Sequence, residues 1–87
     1  MVEKYAYTKI YDNYGKVVIT LNELLEKRNI RPYRLSQLTG IHYDIITKYV
    51  KGSLYRVDLE ILAKICYVLE CTLNDVIHYE QDELLQK

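Results

Sequence analysis

LSQLTGIHYDIITKYVKG, residues 35–52, reads as two short helices joined by a tight turn. Leu35 and Leu38 supply the apolar face of the first helix, Gly40 stops it in a left-handed conformation, and Ile41 drops back into the core. On the second helix Ile46 and Tyr49 lie three apart and face inward, while Tyr43, Asp44, Thr47, Lys48 and Lys51 fall on the opposite side. That outward face is polar, tyrosine-bearing and partly basic. Such a face suits the major groove of DNA, which admits one helix and is read by hydrogen-bonding side chains.

Working outward, charge is the next signal. The formal net charge of the 87 residues is zero, which by itself argues against a nucleic-acid partner. The distribution reverses that impression. Between residues 27 and 56 stand seven basic residues (Lys27, Arg28, Arg31, Arg34, Lys48, Lys51 and Arg56) and a single acid, Asp44. From residue 57 onward two lysines face seven acids. The positive third coincides with the two-helix stretch, so a basic docking face with an acidic far side is expected.

These residues carry a resemblance. Leu35 with the small Ser36, the Leu-Thr-Gly-Ile turn at 38–41, Ile46 in the second helix and the closing Lys51-Gly52 resemble the helix-turn-helix of the lambda-repressor-like, Cro-type (xenobiotic-response-element) transcriptional regulators. The likeness runs from about Thr20 to Ile77, and DLEILAKICYVLECTLNDVI, residues 58–77, is similar to that family's closing helices. Two positions depart from the pattern. Pro32 stands where many members carry Gln, and His42 where many carry Ser at the head of the recognition helix.

The resemblance implies a mainly α, compact five-helix DNA-binding domain, preceded here by a short N-terminal β-hairpin. It implies a sequence-specific transcriptional regulator, a repressor acting as a homodimer on double-stranded DNA, with no cofactor. Base contacts then fall to His42, Tyr43, Asp44, Thr47 and Lys48, and phosphate contacts to Tyr33, Arg34, Lys51, Tyr55 and Arg56, with Gly40 setting the turn. Lys48 would donate to guanine, and Thr47 would meet a thymine methyl or a base acceptor. Asp44 either accepts from a cytosine amino group or caps its helix, and His42 either touches DNA or ends the turn. Arg34 at a helix N-terminus either holds a phosphate or is simply solvated. Ile45 reads as packing at the helix edge.

The rest of the chain divides into an arm at 1–19, the helical domain at 20–79 and an acidic tail at 80–87. Lys4 to Tyr11 and Lys16 to Ile19, separated by Asp12-Asn13-Tyr14-Gly15, read as a hairpin that needs a partner, either its own helical body or a second subunit. Thr20 and Glu23 form a capping box for the first helix, whose buried stripe is Leu21, Leu24 and Leu25 and whose stop is Asn29. Pro32 opens the next helix. Asp58 caps a fourth, with Leu59, Leu62, Ile65, Cys66 and Leu69 inward. Thr72 and Asp75 start a fifth, where Leu73, Val76 and Ile77 close the core, and the chain frays beyond His78.

Other classes find little purchase. No apolar run approaches the roughly 20 residues that span a membrane, and Glu3 and Lys4 sit where a signal peptide would be apolar, so a cytoplasmic protein is expected. Cys66 and Cys71 read as reduced core residues, which a helix would direct to different faces. With His78 they lack paired metal-ligand spacing. No glycine-rich phosphate loop or nucleophile elbow occurs, so neither a metal site nor a catalytic residue is assigned. The rival reading is an antitoxin-like or phage-encoded interaction module whose main partner is another protein.

Overall fold

A computed structural model describes residues 14–81. In order these are β1 (Lys16–Ile19), α1 (Leu21–Arg28), α2 (Pro32–Thr39), α3 (Tyr43–Lys51), α4 (Leu59–Leu69), a 3-10 turn (Leu73–Asp75) and β2 (Ile77–Glu80). The first arm of the expected hairpin, Lys4 to Tyr11, lies outside the described residues, as does the chain beyond Gln81.

The stops and starts follow local chemistry. Asn29 ends α1 in the left-handed region at φ 58°, and Pro32 opens α2, where its missing N–H costs nothing. Gly40 ends α2 at φ 74°, and its N–H returns to the Ser36 carbonyl at 2.9 Å. The Asp58 carboxylate accepts the Glu60 and Ile61 N–H groups at 2.8 and 3.4 Å to cap α4. Leu21, Leu25, Leu35, Ile41, Ile46, Tyr49, Leu62, Ile65, Leu69 and Val76 form one buried core drawn from all four helices, the turn between α2 and α3, and the residue before β2. Each fully buried Leu or Ile in it stabilises the fold by about 2–5 kcal/mol relative to alanine.

Four α-helices form, not five. The Thr72–Asp75 capping box is present, but it starts only the 3-10 turn. Beyond it Ile77–Glu80 pairs antiparallel with β1, Lys16 opposite Glu80 and Ile19 opposite Ile77. The cause is an open edge. A helix through 77–80 would leave the backbone groups of 16–19 unpaired among the described residues, whereas the ladder satisfies both segments. Tyr79 and Glu80 are therefore strand, not frayed tail. Gly15 enters this sheet at φ 82°, where a Cβ would lie 2.5 Å from the Glu80 carbonyl oxygen, so only glycine fits. Val76 is buried and Ile77 packs on the core, but Leu73 is largely exposed.

Other local expectations also give way. Thr20 makes no capping hydrogen bond to α1. Its N–H donates to the Val76 carbonyl at 2.7 Å and its hydroxyl to the Asp75 carbonyl at 3.1 Å, sewing the start of α1 to the start of β2. Leu38 and Leu59 face outward rather than into the core, and Ile45 is partly exposed. The two cysteines are free, but the left-handed Glu70 reverses the chain. That turn brings the Cys71 N–H to the Cys66 carbonyl at 3.1 Å, so the thiols are neighbours rather than on opposite faces. Burial, and then Cys66, pushes the Cys71 thiol up to about 11.

Candidate nucleic-acid interface

α2 and α3 meet across Gly40-Ile41-His42. Thr39 locks that turn, its hydroxyl donating to the Leu35 carbonyl at 2.8 Å while accepting the Ile41 N–H at 3.2 Å. Ser36 is buried and donates to the Tyr33 carbonyl at 2.7 Å, a side chain small enough for close packing of the two helices. Ile46 and Tyr49 anchor α3 from beneath, leaving its other face to solvent.

His42 is the N-cap of α3. Its Nδ1 accepts the Asp44 N–H at 3.2 Å, and an Asp44 carboxylate oxygen lies 3.8 Å from the same nitrogen. The two contacts exclude one another. An Nδ1 that accepts the Asp44 N–H carries no proton of its own, so while it caps the helix it cannot also donate to the carboxylate. The cap acceptor is thus His42, and Asp44 sits in the first turn, where the positive helix end favours an acid.

Tyr43, Asp44 and Lys48 are exposed on α3, and Thr47 is half-buried beside them. The Thr47 hydroxyl donates to the Asp44 carbonyl at 2.9 Å, so its proton is committed and its methyl and remaining lone pair are what it can offer outward. Tyr33 at the start of α2 meets Tyr43 edge to face, ring centroids 5.9 Å apart. This contact joins the two helix N-termini into one surface. The two tyrosines are ten positions apart across a turn, and no sequence pattern signalled their meeting.

Arg34, Lys51, Tyr55 and Arg56 are all exposed. Arg34 reaches Gln37 at 3.5 Å, a long and weak contact that leaves most of its donors open. The loop carrying Tyr55 and Arg56 is tied down at its far end, where the Asp58 N–H donates to the Tyr49 hydroxyl at 2.9 Å. Arg28 stands apart from the basic set. Its guanidinium donates to the Leu69 carbonyl at the C-terminal end of α4, so it serves the fold. Among the described residues no three His, Cys, Asp or Glu side chains gather into a metal-ligand group. No helix among them is long and apolar enough to cross a membrane.

Two short helices locked at a glycine turn, the second of them anchored by one apolar edge and presenting the other, define a helix-turn-helix DNA-binding domain. The chain belongs to the Cro/C1-type HTH DNA-binding domain family, whose profile matches residues 20–82. Two solved structures are similar. The transcriptional regulator VanUg is 26% identical with a TM-score of 0.64, the match covering 84% of this chain and 96% of that one. A Bacteroides fragilis protein provisionally described as DNA-binding is 14% identical with a TM-score of 0.63, over 72% of this chain and 100% of that one, and this likeness bears on the fold alone. No functionally curated protein matches the chain.

Proposed function

We propose that this protein is a cytoplasmic transcriptional regulator that binds a specific double-stranded DNA site as a homodimer and represses by occupancy. The observation that carries the reading is the exposed face of α3, continuous through the Tyr33–Tyr43 contact with the N-terminus of α2 and flanked by Arg34, Lys51 and Arg56. His42, Tyr43, Asp44, Thr47 and Lys48 face the base edges. Of these, Lys48 donates to guanine and the Thr47 methyl meets thymine. Tyr33, Arg34, Lys51, Tyr55 and Arg56 hold phosphates on either side, which fixes register without reading sequence. Two copies place their α3 helices about 34 Å apart in successive major grooves of an inverted repeat.

The test is selection of bound sequences from a random double-stranded DNA pool by the purified protein at moderate salt. An enriched inverted repeat supports specific, dimeric binding. Absence of enrichment by folded protein overturns the reading in favour of a protein-interaction module.

A further inference from the structure

The face of α4 turned away from the core carries Glu60, Ala63, Lys64 and Tyr67, spaced so that they share one side of the helix. With Leu38, Thr39 and Val68 they line an open groove of about 440 Å³ between α2 and α4. Its rim is apolar and unpartnered among the described residues: Tyr67 is 85% exposed, Leu38 42%, and Leu59 at the head of the same helix 79%. None of the lining residues belongs to the proposed DNA contacts, so both faces can be occupied at once.

We propose that this groove takes a second copy of the same chain, the two α4 helices crossing antiparallel beside Ala63. The inference rests on the homodimeric reading above and supplies its interface. Charge complementarity selects the occupant. Glu60 and Lys64 lie on this one face, carboxylate and ammonium 3.6 Å apart. A two-fold axis level with Leu62, midway between them along the helix, sets Glu60 beside the partner's Lys64, and Lys64 beside the partner's Glu60. That is the self-complementarity an isologous contact requires. The small Ala63 side chain at the crossing lets the helices approach to about 8 Å, the close end of the usual range. Tyr67 and Leu38 on either side then enter the opposite groove, an aromatic and an aliphatic anchor of the kind that carries binding energy.

The experiment is sedimentation equilibrium on the full chain with paired charge reversals. Glu60→Lys sets lysine against lysine across the axis, and Lys64→Glu sets acid against acid. Each variant alone should dimerise about tenfold or more weakly than the native chain, and an equimolar mixture should recover native affinity as a heterodimer. Both substitutions are on exposed side chains, and circular dichroism melts like those of the native chain establish that each variant is folded. Single variants that dimerise as tightly as the native chain overturn the proposal, as does a mixture no tighter than its parts. A native chain that remains monomeric also overturns it. Binding to an isolated half-site, measured alongside, separates the two readings. Half-site binding kept while dimerisation fails retires this interface alone, whereas half-site binding lost from an intact dimer retires the DNA reading alone.

Discussion

Thr47 and Lys48 are neighbours on α3 but offer a base different things. The Thr47 proton is already spent on the Asp44 carbonyl, whereas the exposed Lys48 ammonium brings three free rotatable donors at the helix surface. Lys48→Ala is therefore expected to weaken binding to the selected site by about 1–3 kcal/mol while leaving the thermal midpoint unmoved, since no folded-state contact is lost. Fluorescence anisotropy and a melting curve on the same sample decide it, and unchanged affinity removes Lys48 from the base-reading set. At this scale the sequence was informative wherever one residue type has one use. Gly40 is left-handed, Asn29 ends its helix, and Ile46 and Tyr49 are inward. It was silent on pairings between side chains, such as Tyr33 with Tyr43 or Arg28 with the end of α4, because these depend on how helices meet.

Among elements, the helices at 21–28, 32–39, 43–51 and 59–69 were legible from period and punctuation, and the segment after Thr72 was not. Its capping box is real, but strand follows it rather than helix. A capping box specifies how a helix begins, and the β1 edge, remote in sequence, decided what followed. The same strand pairing draws Thr20 away from a capping role, its hydrogen bonds going to Asp75 and Val76 instead. Asp75 gives this corner a pH dependence. The Thr72 N–H and hydroxyl, donating at 3.0 and 3.1 Å, hold its carboxyl below the usual value of 3.8. A carboxylate with a depressed folded-state pKa contributes stability above its unfolded value and loses it as pH falls through the folded one. Asp75→Asn should thus lose less stability than the native chain between about pH 5 and about pH 3, as read from urea midpoints. Equal losses in the two proteins would show that the corner does not titrate.

For the molecule as a whole, charge placement matters more than charge total. A net charge of zero would predict indifference to salt, yet Arg34, Lys51 and Arg56 of each copy are proposed to meet phosphates. Six such contacts in a dimer give a log–log dependence of affinity on salt with slope about −5. A slope near zero in filter-binding titrations would mean that these cations do not touch the backbone. The basic third of the chain was visible before any fold was known, whereas the groove on α4 emerged only when Leu38 and Leu59 proved to lie outside the core. The seam at Thr20 has a consequence for the order of events in time. The Thr20–Asp75 hydrogen bond closes a loop across 55 positions of chain, while the α2–α3 pair it encloses is made from near neighbours. Long loops close after local contacts have formed. Weakening the seam, as with Val18→Ala, should quicken unfolding and leave the refolding rate in a stopped-flow trace almost unchanged. The two-stranded clasp is then the last part of the domain to form and the first to let go, so it governs how long a folded copy lasts more than how fast one is made.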